Sequence, residues 1–181
     1  MKELALSILD IVQNSLRAEA TTISVSIKEI SEKDVMEIEI KDNGRGIPEN
    51  MLENVTDPFV TSRTTRRVGL GLPLLRFHAE LTGGGVYIES EEGKGTDVKA
   101  VFGLSHPDTQ PLGDISGVMV MMIAANPEVN FIFSHKTPSG EFSISSAEIK
   151  TTFENETLKD SSLLRDIKEY IDENLESLGV H

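Results

Sequence analysis

The 181-residue sequence contains no cysteine. Disulfides, thiolate zinc sites, iron–sulfur clusters and cysteine nucleophiles are therefore excluded, and the absence agrees with an intracellular setting. Long hydrophobic runs are missing too. The longest, at 118–125, has eight residues, whereas a membrane-spanning helix needs about 20. At the amino terminus, Glu3 and Asp10 fall where a signal peptide requires an apolar core. A cytoplasmic protein is expected. Positive charge is also scarce: 17 Lys and Arg stand against 30 Asp and Glu, a net charge of −13 at pH 7. Duplex nucleic-acid binders normally carry the opposite balance or a dense basic face, and anionic membrane surfaces are disfavoured by the same charge. Neither is expected as a partner.

With 38% apolar and 26% charged residues, the chain reads as one globular domain, or one domain with a small appendage. Its charge is uneven. Residues 1–104 hold 12 basic and 17 acidic side chains, and residues 105–181 hold 5 and 13. The one dense basic cluster is Arg63, Arg66 and Arg67, in a stretch rich in Thr and Ser. Such an exception in an acidic protein marks either a place where an anion is handled or a solvated loop.

Hydrophobic spacing predicts the elements. Leu4, Ile8, Ile11, Val12 and Leu16 form one face of a helix over 3–19. Alternation predicts strands at 22–30 and 35–41, joined as a hairpin by the short polar stretch 31–34. A loop at 42–48 leads to a short helix at 48–54, and 56–69 has no period and reads as a long functional loop. Leu70, Leu74, Leu75, His78 and Leu81 predict a helix over 70–82, stopped by three glycines at 83–85. Strands follow at 86–90 and 96–102. The result is an α+β fold, a layer of helices on one mixed sheet. Residues 105–112, with two prolines, read as a linker. Beyond it we expect a small α+β extension over 113–181: a helix at 114–126, a hairpin from 129–135 and 141–145, a short helix at 146–153, and an amphipathic helix at 161–178.

Four motifs carry chemistry. Asp10 and Asn14 are one helical turn apart, with Arg17 further along. A carboxamide oxygen is a hard ligand that suits Mg²⁺, and a neighbouring carboxylate can orient water or take a proton; an ordinary polar helix face would look the same. Asp42-Asn43-Gly44-Arg45-Gly46 directly follows a strand. It is either a strand-ending turn or a loop whose glycines let backbone approach a flat ligand while Asp42 accepts from an exocyclic amine. Gly69-Leu70-Gly71 opens a helix, where backbone N–H groups can face a phosphate. Gly93, Gly95 and Thr96 lie between the last two strands.

In this order and spacing the four motifs resemble the GHKL superfamily, the Bergerat-fold ATP-binding domains of gyrase-type, chaperone, histidine-kinase and mismatch-repair proteins. Residues 57–96, with DPF, TSR, GLGL and a final Gly-Thr strand pair, look most like a sensor histidine kinase. The resemblance covers about residues 1–104. It implies Mg²⁺ on Asn14, an adenine-reading carboxylate at Asp42, a loop passing the base at Gly44 and Gly46, and a second adenine contact at Thr96. It further implies hinge glycines Gly69 and Gly71, with Leu70 near the phosphates, and a lid over 56–68 whose Arg63, Arg66 or Arg67 meets triphosphate charge. Asp10 stands where many relatives carry Glu, and is the candidate catalytic base, shorter by one C–C bond or about 1.5 Å. None of His78, His106, His135 and His181 has the helical context of a phosphoacceptor. His78 reads as a packing residue, and the chain starts directly at the ATP domain. The expected function is a stand-alone ATP-dependent kinase or slow ATPase in signal transduction, acting with a protein partner in trans. The alternative is a non-catalytic ATP-gated binding switch, as in anti-sigma-type regulators. The 113–181 segment is either a docking module or an extension packed on the sheet.

Overall fold

Alternating apolar and polar residues along each strand put every second side chain on one face of a sheet, and helices cover that face. The computed structural model describes residues 3–52, 71–153, 158 and 160–180. Helix α1 (Leu4–Arg17) buries Leu4, Ile8, Ile11 and Val12 as its spacing predicts. Its first N–H groups, which have no partner within a helix, donate from Leu4 and Ala5 to the carbonyls of Pro111 and Leu112 at 3.0 and 2.8 Å. Strands β1 (Thr22–Ile30) and β2 (Val35–Asp42) pair antiparallel from Ile23↔Asp42 to Ile30↔Val35. Between them one 3₁₀ turn (Ser31–Lys33) ends on Asp34 in the left-handed region, φ 51°. Short helix α2 (Glu49–Leu52) follows, then α3 (Gly71–Leu81), β3 (Gly85–Glu91) and β4 (Gly95–Gly103). The carboxyl-terminal elements are α4 (Ile115–Ala125), β5 (Asn130–Thr137), β6 (Gly140–Ser145), α5 (Ser146–Thr152) and α6 (Ser161–Ser177).

The sheet has six strands in the order β3-β4-β2-β1-β5-β6. It is mixed: β1 and β5 run parallel, from Thr22↔Asn130 to Lys28↔Lys136, and the other pairs given are antiparallel. The expected α+β architecture is the one observed. The residues after the expected linker build no separate sheet, because β5 joins directly to β1. Phe131 and Phe133 of β5 enter the same buried cluster as Ile23, Val25 and Ile27 of β1; each such side chain contributes about 1.5–3 kcal/mol. Asp160 caps α6 by accepting from the Ser162 and Leu163 N–H groups, and Leu163, Ile167, Ile171 and Leu175 form its buried stripe. Lys168 ties α6 to the start of α4, lying 3.1 Å from Asp114, 2.8 Å from Asp172 and 3.1 Å from Ser116 Oγ. The opposite face of the sheet is polar, with Lys99 paired to Glu37 at 2.8 Å. Among the described residues no helix is long and apolar enough to cross a membrane.

Helix α3 lies where expected but is turned. It buries Gly71, Leu75 and Ala79, leaving Phe77 58% and Leu81 46% exposed. His78 is half-buried, its ring edge-on to Phe77. Gly71 faces inward where a Cβ would meet the Asp10 side chain of α1. Gly83, φ +82°, then ends α3, with the Gly84 N–H donating to Ala79 O at 2.9 Å.

Candidate functional site

β2 ends at Asp42, directly opposite Thr96 at the start of β4. The Asp42 carboxylate accepts from three donors. Oδ1 takes the Gly44 N–H at 2.9 Å and the Thr96 N–H at 3.3 Å, and Oδ2 takes the Ser15 hydroxyl at 2.6 Å. An ionised carboxylate has about four lone-pair sites, so one remains for a ligand donor. The Ser90 hydroxyl donates to Gly95 O at 2.9 Å and accepts from the Ile47 N–H at 2.8 Å. Its single hydrogen is thereby used, so in the 2.9 Å contact between Ser90 and Thr96 the Thr96 hydroxyl donates. Thr96 Oγ1 keeps its acceptor capacity. Asp42 and Thr96 together present acceptors, which suits a ligand edge that carries an amine.

The loop after Asp42 is fastened on both sides. Asn43 Oδ1 accepts from the Thr21 and Thr22 N–H groups, and its Nδ2 donates to Thr21 Oγ1, each at 2.9 Å. Asn43 is thus a staple and not a ligand group. Gly44 passes over the end of α1, where a Cβ would lie 2.7 Å from the Ala18 carbonyl oxygen; the Arg45 N–H donates to that same oxygen at 2.8 Å. Gly46 has φ +71°, and a Cβ there would collide with the Glu91 carbonyl. The loop runs between α1 and the β3–β4 turn, held by the Gly93 N–H donating to Arg45 O at 2.7 Å.

On α1, Asp10 is half-buried and Asn14 exposed. The Asp10 carboxylate stands against Gly71, where any side chain would meet it. It therefore sits at the amino end of α3, whose helix dipole favours negative charge. Asn14 Oδ1 accepts from Arg17 Nη1 at 3.0 Å. Asp10, Asn14, Asp42, Gly44, Gly46, Gly71 and Thr96 thus gather about α1 and the ends of β2, β4 and α3. Arg63, Arg66, Arg67, Gly69 and Leu70 lie outside the described residues, as does the whole of the expected lid, 56–68. A cavity of about 410 Å³, lined by Lys33, Gly83, Gly103 and His106 among others, opens at the other end of the β2–β4 ladder and contains none of the expected site residues.

Sequence reasoning missed Ser15 and Ser90. Ser15 carried a signal: it lies seven residues after Ile8 and four after Ile11, a buried position on α1 filled by a polar residue. Ser90 continues the inward alternation of Val86 and Ile88 on β3.

Residues 2–106 match the family model described as histidine kinase-, DNA gyrase B-, and HSP90-like ATPase. The sensor kinase CckA of Brucella abortus is 36% identical over 81 residues, 44% of this chain and 9% of that protein. Sporulation kinase D of Bacillus subtilis is 34% identical over 100 residues, 54% of this chain and 19% of its own length. The sensor protein DivL of Caulobacter vibrioides is 32% identical over 130 residues, 72% of this chain and 15% of that protein. This chain thus corresponds to under a fifth of the length of each. The crystal structure of the N-terminal domain of a DNA repair protein shares the fold, with a TM-score of 0.54 and 17% identity over 80% of this chain and 52% of that one.

Proposed function

The chain belongs to the histidine kinase-, DNA gyrase B-, and HSP90-like ATPase family and carries its kinase-like ATP-binding domain; from that premise we propose that it binds Mg·ATP and transfers the γ-phosphoryl group to a protein partner in trans, or slowly hydrolyses ATP when that partner engages. The observation that carries this proposal is the Asp42 carboxylate, held by Ser15, Gly44 and Thr96 with one lone-pair site free beside the Thr96 hydroxyl. We assign the nucleotide site to residues 1–104, with 105–112 as a linker and 113–181 as an extension, and the protein to the cytoplasm.

In this mechanism Asp42 and Thr96 accept from the adenine amine, and the backbone at Gly44 and Gly46 passes the base. The residues present fit Mg²⁺. It takes one or two protein oxygens and keeps several waters along with substrate phosphates, and Asn14 offers one exposed amide oxygen with a lone pair beyond the one Arg17 uses. Asn14 would hold the metal, which would supply charge neutralisation at the phosphates. Gly71 and, from the family resemblance, Gly69, Leu70 and one or two of Arg63, Arg66 and Arg67 attend the phosphates. Asp10, at the amino end of α3, orients the attacking hydroxyl or water. The exposed Phe77 and Leu81 lie further along α3 and offer a partner an apolar surface on the helix whose amino end is at this site.

One observation favours the second reading, an ATP-gated binding switch: Asp10 is shorter by about 1.5 Å than the Glu of many relatives, and misplacement on that scale slows chemistry steeply. Incubation with γ-labelled ATP and candidate partners separates the two. Label on a partner, or released phosphate, in wild type but not in Asp10→Asn supports the enzyme. Saturable Mg·ATP binding with neither product supports the switch.

Two binding results are expected by titration calorimetry. Ser15→Ala removes one of the three donors on Asp42, and ATP affinity falls by about 5- to 10-fold, or 1–1.5 kcal/mol. Asn14→Ala removes the tightening that Mg²⁺ gives and leaves metal-free ATP binding near wild type; an unchanged response to Mg²⁺ would place the metal elsewhere.

A further inference from the structure

The parallel pairing of β5 with β1 is the seam through which the carboxyl-terminal strands join the rest of the sheet. His135, opposite Ile27 in that pairing, is 0% exposed. Its Nε2 lies 3.0 Å from Glu29 Oε1 on β1, so the contact spans the seam. An ionised carboxylate only accepts, so Nε2 carries the hydrogen. Nδ1 is buried and has no hydrogen-bond partner among the described residues. In the neutral ring it is a bare acceptor. A second proton would turn it into a buried N–H with nothing to receive it, and the Glu29 carboxylate at the other ring nitrogen compensates the charge only in part.

The surroundings offer no second acceptor among the described residues. On the same face stand Ile27 and Glu29 of β1, Met36 opposite Glu29 on β2, Phe133 and Thr137 of β5, and Phe142 opposite His135 on β6. Lys28, Lys136 and Glu141 alternate to the other face. In the helix layer Tyr170 of α6 packs its ring on Phe142, and the Thr137 hydroxyl donates to Leu178 O at 3.2 Å. Lys168 and Asp172 of α6 are tied to each other and to Asp114 beside α4, and Glu3 stands against Gly113.

We propose that buried His135 is a pH-sensitive latch at the β1–β5 seam, closed while the ring is neutral, and that its protonation, which the Glu29 contact offsets only in part, releases the carboxyl-terminal strands from β1. Burial holds the ring below the ordinary histidine value of 6.5, and the hydrogen bond and charge of Glu29 only partly oppose this. A depressed value means that the latch contributes fully above pH 6.5 and weakens as pH falls from 6.5 toward the folded-state value. The released form binds a proton that the closed form resists, so its population rises between pH 7.5 and 5.5, by at most about tenfold.

The test is amide hydrogen exchange at pH 7.5 and 5.5, corrected for intrinsic rates, in wild type, His135→Phe and Glu29→Gln. Wild-type amides at 131–137 are expected to lose protection at pH 5.5, by several-fold and at most about tenfold, while those of β3 and β4 hold. His135→Phe abolishes the difference. Glu29→Gln keeps it, because the burial of the ring produces it and not titration of the carboxylate. No loss in wild type, or an equal loss in His135→Phe, overturns the proposal. If His135→Phe does not fold, the Cε1 chemical shift of His135 in wild type decides. Titration at or above pH 6.5 with β5 still protected overturns the latch, and titration below 6.5 in step with β5 exposure supports it.

Discussion

Asp42→Asn is expected to weaken ATP binding by about 10²- to 10³-fold while the protein stays folded. The substitution keeps shape and removes charge. The amide has an orientation that satisfies the protein: its oxygen keeps the Gly44 and Thr96 N–H groups, and its NH₂ donates to Ser15 Oγ, whose hydroxyl can rotate to accept. The fold therefore loses little. The ligand loses more, because the face left open for an amine now carries a donor hydrogen. One charge-assisted hydrogen bond of about 1.5–3 kcal/mol disappears, and an unsatisfied donor pair of comparable cost replaces it. Together these give the stated range, at 1.4 kcal/mol per decade. Calorimetry with Mg·ATP measures it, and a circular-dichroism melt within about 4 °C of wild type shows that the fold stands. Affinity within tenfold of wild type would mean that Asp42 reads no base, and the site would have to be sought elsewhere.

What the sequence reveals of this molecule depends on how locally each feature is determined. Strand alternation and the apolar faces of α1, α4 and α6 are local, and those elements lie within a residue or two of where spacing puts them. The α3 face is not local. Leu72, Leu74, Leu75, Phe77 and Leu81 surround that helix, and periodicity favours Leu74, Leu75, His78 and Leu81. The structure turns Gly71 and Ala79 inward along with Leu75; at position 71 the Asp10 side chain of α1 leaves no room for a Cβ. The place of β5 is equally hidden. Phe131, Phe133 and His135 alternate as on any half-buried strand, and that pattern fits an edge or an interior position, parallel or antiparallel. Of the candidate site, the residues with unusual chemistry in a loop or on a polar face, Asp42, Asn14 and Thr96, were visible. Ser15 and Ser90 were not, because their roles exist only through partners 27 and 6 residues away.

Gly95→Ala is expected to lower the melting temperature by about 10 °C and to weaken ATP binding with it. Gly95 has φ +124°, a region that L side chains rarely adopt, and a Cβ there would run into the Asp42 carbonyl, with Asn43 Cα only 2.9 Å away. Both obstacles are backbone at the end of the β2–β4 ladder, so no side chain can rotate away. Strain at such a φ costs about 1–3 kcal/mol and overpacking about 1–3 more. For a chain of this size each kcal/mol shifts the midpoint by about 2–4 °C. The loss reaches the site because relief requires the two strand ends to part, and the Thr96 N–H, already 3.3 Å from Asp42 Oδ1, moves out of reach. Gly93 supplies the control. Its φ is +82°, and nothing lies within 4 Å of a Cβ placed there. Asn tolerates that left-handed conformation, so Gly93→Asn should cost no more than about 1 kcal/mol and leave ATP affinity unchanged. Two glycines in one β3–β4 turn thus separate close approach from backbone freedom. If Gly95→Ala melted with wild type, or if Gly93→Asn did equal damage, the tight contact between this turn and Asp42 would not be what holds the end of the sheet.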